Sequence, residues 1–561
     1  MKTKKRLTPF GKVSIIVLIL VAVLSFKYAV IDNLPQDAKQ STEIGKVSLP
    51  DSPDASFTSE TMQLSLPGKN ESSNEGSKIS WKIMAWNSQF GLMYANGGAE
   101  TKEGSLIEQA NLQIEIVRQD DCNKTMADIV KFANDYKNDE STTAVFASFM
   151  GDGMPVFFSA LCKELEPLGP DYQPIAFYAM GKSYGEDQLM GPANWKQNPQ
   201  NAKGKTVACV MRDGDMNILL KWAGDNGIKV NPDETTYDSQ AVNLIAANDF
   251  LDAPNKYITG YKEKRRLVVD NKKIAKDTTI GVDAVATWTP GDVNVATQKG
   301  GLVTIASTKQ YSTQMPNITI TIKKYAYDHR TDIENLIIAL AQAGDQVRSF
   351  KNAKKFAAKV SAIVYNEQTA DYWLKYYDGM EEKDVQGMKV QLGGSMVFNL
   401  SDAANMFGFG KDGIDRYKVV YNTFGDILSK MYPEILKDYP KYQTVVDKSF
   451  LQSVVANHSE LMEGKALQTE YSNEITSEVS SKSYQIQFES GSSVIKPESY
   501  KMLDEIMQSA IVAEGLKIGI YGHTDNDGSK QTNMQLSNER ANSVKNYLQS
   551  KDMIYTNMLS E

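Results

Sequence analysis

Ile518-Gly-Ile-Tyr-Gly522-His-Thr-Asp525-Asn-Asp-Gly-Ser-Lys-Gln-Thr-Asn533-Met-Gln-Leu-Ser-Asn-Glu-Arg540-Ala-Asn-Ser-Val-Lys-Asn-Tyr-Leu548 reads as a strand, a polar loop and a helix. Ile518 and Ile520 alternate before Gly522, and Leu536, Ala541, Val544 and Leu548 fall on one apolar helical face. Asp525 ends the strand. The periodicity places Arg540 in or near the first turn of the helix, where the macrodipole disfavours a cation unless an anion is held beside it. A carboxylate and a guanidinium facing one another across a loop suit a zwitterion: Asp525 for its ammonium, Arg540 as a two-pronged clamp on its carboxylate. Asn533 and Thr524 add hydrogen-bonding capacity. A salt bridge tying loop to helix accounts for the same pair equally well.

The run from Gly522-His-Thr-Asp525 through Asn533, Leu536-Ser537, Arg540-Ala541, Val544 and Tyr547-Leu548 resembles the OmpA-like peptidoglycan-binding domain. Ile486-Gln-Phe488-Glu-Ser-Gly491-Ser-Ser-Val-Ile495-Lys-Pro497 and the segment through Leu503 and Ile506 are similar to its first strand and helix. The resemblance covers 484–561 and implies that Asp525 and Arg540, assisted by Thr524 and Asn533, grip the diaminopimelate of a cell-wall peptide. The family pattern continues into a further strand and a basic segment, so the domain reads as C-terminally incomplete.

Working outward, Ser, Glu and Thr dominate 465–483, which reads as a linker. Before it, β-prone runs near Trp81, Leu112, Thr143, Ile175 and Thr206 alternate with helix-like segments around 126–136, 155–165 and 216–222. That order predicts an α/β domain over 79–464 with largely parallel sheets, whose ligands sit outside the carboxyl ends of strands. Three loops fit that position: Ala85-Trp-Asn87 with Asn96-Gly97-Gly98, Ser148-Phe-Met-Gly151-Asp-Gly153, and Arg212-Asp213-Gly214-Asp-Met-Asn217. Each by itself is also an ordinary turn, since Gly and Asp are turn residues.

Gly281-Val-Asp283-Ala-Val-Ala-Thr-Trp288-Thr-Pro290 resembles a pattern of periplasmic solute-binding proteins that serve nitrate, sulfonate and taurine transporters, and 300–307 looks like the next strand of that family. The resemblance implies two lobes closing on a small, anionic solute, with a transporter permease as partner. The candidate solute contacts are Asn87, Asn96, Gly97, Ser148, Gly151, Asp213, Asp283 and Trp288. Trp288 reads either as a cleft residue or as a core aromatic.

At the N-terminus, the basic tail 1–12 precedes an apolar run over 13–31 that just reaches spanning length, predicting a transmembrane signal anchor with its C-terminal side outside. A signal peptide cleaved after Ser25 is the alternative, giving a secreted periplasmic protein. The polar segment 32–78 reads as a flexible linker.

A net charge of -8 with no basic stripe argues against nucleic acid. Cys122, Cys162 and Cys209 are too few for a disulfide scaffold, and His329, His458 and His523 lack metal-ligand spacing. Gly181-Lys-Ser183-Tyr-Gly185 matches the nucleophile-elbow pattern, but no helix follows it. Gly204-Lys-Thr206 lacks the first glycine of a P-loop. Neither catalysis nor a cofactor is expected. The whole reads as a two-lobed periplasmic solute-binding-like α/β domain and an α+β OmpA-like domain behind one transmembrane helix, joining inner membrane to peptidoglycan. A purely structural anchor with a ligand-free scaffold is the rival.

Overall fold

The computed structural model describes residues 42–43, 64, 66–463, 484–512, 518–522, 530–550 and 558–560. No helix among them is long and apolar enough to cross a membrane, and the apolar run 13–31 lies outside them.

The chain enters a first sheet with β1 (Ser77–Ile83), where Ile79, Trp81 and Ile83 point inward in strict alternation. Helix α1 (Phe90–Asn96), β2 (Leu112–Arg118), β3 (Ala144–Met150), α2 (Met154–Leu165) and β4 (Pro174–Ser183) follow. Strands β3 and β4 are apolar on both faces because helices or the opposite lobe cover both. The chain then crosses to a second sheet: β5 (Gln188–Gly191), β6 (Thr206–Val210), α3 (Gly214–Asp225), β7 (Lys229–Asn231), β8 (Ala241–Ala247), β9 (Ala284–Thr287), α4 (Gly291–Gln298) and β10 (Val303–Ser307). It returns to the first sheet with β11 (Pro316–Ile322) and, after α5 (Arg330–Ser349), β12 (Ser395–Val397). The sheet orders are β12-β4-β11-β3-β1-β2 and β7-β8-β6-β9-β5-β10, with Thr42–Glu43 paired outside β7.

The sheets are mixed, correcting the expectation of largely parallel ones. Strands β1, β2 and β3 pair in parallel, as do β7, β8, β6 and β9, but β4, β5, β10, β11 and β12 run antiparallel to their neighbours. The cause is the double crossing. A strand that leaves one sheet and feeds the other without an intervening helix has no βαβ unit to make it parallel.

The crossings lie side by side. Ser183 and Thr308 share a hydroxyl hydrogen bond of 2.6 Å, Gly185 N–H donates to Thr308 Oγ1 at 2.8 Å, and Thr308 N–H donates to the Asp187 carbonyl at 3.0 Å. The serine of the apparent nucleophile elbow is thus a crossover residue.

Helix α5 lays Ile333, Leu336, Ile337, Leu340 and Val347 along one buried stripe. A Cβ at Gly344 would stand 1.9 Å from the Phe398 carbonyl, so glycine is what permits its close approach to the end of β12. Helix α3 is buried from end to end, including its ion pair Lys221–Asp225 at 2.7 Å, where the Tyr311 hydroxyl also donates to Asp225 at 2.8 Å.

Helix α6 (Arg416–Met431) bridges to the C-terminal segment, whose elements are α7 (Tyr500–Val512), β13 (Ile518–Ile520), α8 (Lys530–Ser550) and β14 (Met558–Ser560), with β14 parallel to β13. Val512 packs on Val420 and Phe424 of α6. The Thr313 hydroxyl, on the second crossover, donates to the carbonyls of Ile511 and Val512 at 3.1 and 2.9 Å, serving carbonyls that the end of α7 leaves without helical partners.

Candidate functional site

The loops after β1 and β3 in one lobe meet those after β6 and β9 in the other, at the crossovers. All four follow carboxyl ends of parallel strands, where helices α3 and α4 begin. Two hydrogen bonds join the lobes here: the Trp288 indole N–H donates to the Ala85 carbonyl at 3.1 Å, and the Asn217 amide donates to the Asp152 carbonyl at 3.1 Å. Trp288 stacks on Phe250 with ring centres 4.3 Å apart, so it is a core aromatic whose polar edge closes the cleft. Trp288→Phe is expected to cost about 1–2 kcal/mol, because a buried carbonyl loses its donor. A shift of the urea midpoint at unchanged slope is the measurement.

Buried carboxyl groups crowd this junction. Asp152 accepts from the Gln314 amide at 2.8 Å through one oxygen, and its other oxygen has no partner. Glu186 accepts from the Ser395 hydroxyl and likewise has a free oxygen. Both oxygens of Asp215 lack partners, and the Ser183 hydroxyl and the Trp86 indole are the side-chain donors that reach Asp187. Asp292 is better served, by Gln188 Nε2 at 3.0 Å and by the amides of Gly393 at 2.9 Å and Val293 at 2.7 Å. Asp213, partly exposed at the edge, caps α3 by accepting from Gly214 N–H at 2.8 Å.

Burial pushes Asp152 up to about 8, with Gln314 opposing and Asp213 and Asp187 adding repulsion. Burial likewise lifts Asp292 to about 6, opposed by its donors, and raises Glu186, Asp187 and Asp215, on which neighbouring carboxylates add repulsion. The charged neighbours that act on Asp152, Glu186, Asp187 and Asp215 are other carboxylates. Each of these groups is raised, so burial favours its neutral, protonated form.

The sequence-derived candidates divide. Asn87 reaches the junction, fully buried, with neither amide atom partnered. Gly151, Asp213 and Trp288 flank it, and Gly151 N–H donates to the Pro316 carbonyl at 2.8 Å. Ser148 instead lies inside β3, accepting from the Trp81 indole at 2.7 Å. Asn96 bonds the carbonyls of Gly98 and Ile114, and Gly97, at φ 79°, ends α1; both serve the local turn. Asp283 precedes β9 and accepts from Thr206 N–H at 3.0 Å, at the opposite end of the sheet from Trp288. A motif that spans a strand cannot put both its ends in one cleft.

Asp152, Glu186, Asp187, Asp215, Asn217 and Gln314 were not singled out. Asp152, Asp215 and Asn217 stand within the loops chosen for their glycines. Glu186 and Asp187 directly follow the Gly181–Gly185 pattern, whose sequence suggests only a nucleophile elbow.

In the C-terminal segment, Thr524 and Asp525 lie outside the described residues. Helix α8 begins at Lys530, so Asn533 occupies its first turn and Arg540 lies about three turns in, correcting the first-turn placement. The hydrophobic face begins with Leu536, and the preceding polar residues extend the helix without contributing to that signal. Arg540 donates to the Ser492 carbonyl at 3.0 Å and covers the Phe488 ring at 5.0 Å. That holds the guanidinium against the loop Gly491-Ser-Ser.

Residues 487–560 match the OmpA family. Over 73 residues the chain is 41% identical to outer membrane protein A of Bordetella avium, covering 12% of this chain and 38% of that protein. Over 78 residues it is 35% identical to outer membrane protein P5 of Haemophilus influenzae, covering 14% of this chain and 22% of that one. The chain thus spans well under two thirds of the length of either relative. Among solved structures it is similar to the periplasmic nitrate-binding protein NrtA from Synechocystis PCC 6803 at 10% identity and TM-score 0.42, covering 70% of this chain and 92% of that one. It is also similar to the periplasmic aliphatic sulphonate binding protein SsuA from Escherichia coli at 12% identity and TM-score 0.40, covering 72% and 97%.

Proposed function

We propose that this chain is a cell-envelope binding protein, not an enzyme, in which a two-lobed domain takes a small solute and the C-terminal module holds peptidoglycan, with 13–31 as its inner-membrane anchor. The observation that carries the reading is the set of buried polar groups without partners at the junction of the lobes, including both amide atoms of Asn87. A scaffold that had lost its ligand would gain stability by losing such groups, since each costs about 1–3 kcal/mol when unsatisfied. A permease fits the reading but is not required by it.

For the C-terminal module, the OmpA-family match supports a diaminopimelate clamp of Asp525 and Arg540 with Thr524 and Asn533 assisting. In sedimentation of the full-length chain with purified peptidoglycan, Asp525→Ala and Arg540→Ala are each expected to weaken binding at least about tenfold, about 1.4 kcal/mol. Arg540→Lys should be weak too, because an ammonium lacks the planar fork. Undiminished binding by folded variants would leave the pair as a salt bridge. For the solute, thermal shift of the full-length chain over a panel of cations, anions and neutral amino acids is the test; no shift with any of them would favour the scaffold.

A further inference from the structure

We propose that the solute is a small organic cation carrying at least two ammonium groups, a diamine or polyamine, held between the lobes by Asp152, Glu186, Asp187 and Asp215. The inference rests on the reading that the junction of the lobes binds a solute, and it names the chemistry of that solute.

The first argument is the balance of donors and acceptors. The unpartnered acceptors at the junction, on Asp152, Glu186, Asp215, Asn217 and Gln314, outnumber the unpartnered groups there that can donate, the Asn87 amide and the hydroxyls of Thr289, Tyr372 and Tyr417. A ligand that completes this site must bring N–H donors, and an ammonium brings three with no acceptor. An anion would bring more acceptors to a place already short of donors.

Charge is the second. The ionised site repels itself, and no cation stands among the main influences on these carboxyl groups. Asp152 comes from one lobe, Asp215 from the other, and Glu186 and Asp187 from the crossover between them, and among the described residues no three such groups are arranged to hold one ion, which suits two ammonium groups better than one. Two ammonium groups on an alkyl spacer could serve them, and the buried Trp86, whose indole reaches Asp187, stands beside them.

The third argument excludes the simplest competitor. A divalent metal wants several oxygens within about 2.0–2.6 Å. Among the described residues no group of three or more His, Cys, Asp or Glu side chains is arranged to hold one. The carboxyl groups are near enough to repel one another and too dispersed to share an ion. An ammonium contact is longer, about 2.7–2.9 Å per hydrogen bond, and each ammonium needs only its own few acceptors.

Binding should therefore discharge protons from the site, because cations favour the ionised carboxylates. The experiment is isothermal titration calorimetry of the full-length chain with 1,4-diaminobutane, spermidine, butylamine, magnesium, taurine, sulfate and glycine, in buffers of different ionisation enthalpy. The expected result is that a diamine or polyamine binds at least about tenfold more tightly than butylamine, with an enthalpy that depends on the buffer in the sense of proton release. Asp187→Asn and Asp215→Asn should each weaken that binding at least about tenfold, while Asp283→Asn, at the far end of β9, leaves it unchanged. Magnesium binding as well as the amines, or taurine, sulfate or glycine binding in their place, would overturn the inference and leave the solute-binding reading standing. Heat from none of these solutes would overturn both.

Discussion

Raising the pH from about 5 to about 8 with no solute present should destabilise the two-lobed domain by about 4 kcal/mol through Asp152 alone, at about 1.36 kcal/mol per pH unit. The sign follows from the direction of its shift. Burial raises Asp152 from 3.8 to about 8 in the folded chain, so over this range the folded state keeps a proton that the unfolded state releases. Stability is full below the unfolded value and is lost as the pH climbs through the folded one. Asp187 and Asp213, which face Asp152, add repulsion as they ionise, and the raised Glu186, Asp215 and Asp292 act in the same direction. Carboxylates shifted the opposite way, such as Asp412 beside Arg416 and Asp447 beside Tyr327, lie below their ordinary value even though burial opposes the shift. Their stabilisation is lost only below that ordinary value, so it is intact throughout the window and does not mask the slope. Urea denaturation at several pH values measures this, and a flat profile would show that these groups are not buried as charges.

Asp215→Asn should raise the stability of the unliganded protein by about 1–3 kcal/mol at any pH where the aspartate is ionised, because burial penalises its charge. Asparagine keeps the shape and removes the charge. The carboxylate does gain from its place in the first turn of α3, by about 0.3–1 kcal/mol, which is less than the desolvation it suffers. The gain should shrink as the pH falls and the aspartate takes up its proton. Solute binding should fall in the same variant that becomes more stable, the pattern expected of a group kept for function at the expense of stability. A loss of stability at every pH would assign Asp215 a structural partner instead.

The order of strands and helices in the first half of the chain was legible because its apolar runs are short, bounded by turns and separated by helical periods. Leu112–Arg118, Thr206–Val210 and Met154–Leu165 all stand close to where their periodicity put them. Strand direction was not legible. Nothing in the apolar pattern of Gln188–Gly191 says that the chain has changed sheets and reversed its pairing. The junction was legible as a set of loops and illegible as chemistry. A lone aspartate after a glycine reads as a turn residue, and only the fold brings Asp152, Asp187 and Asp215 from separate loops into one buried place. At the C-terminus the motif located Arg540, but the start of its helix was misplaced because Lys530 to Gln535 carries little of the apolar signal.

The hydrogen bonds from Thr313 to the end of α7 have a mechanical consequence. A load placed on the C-terminal module has one route into the two-lobed domain through the second crossover, beside the strand pair that any rotation of the lobes must twist. Val512, seated on Val420 and Phe424, gives that route an apolar shoulder. Tension or slack at the C-terminal end would then act as a torque at the junction where the carboxyl groups meet.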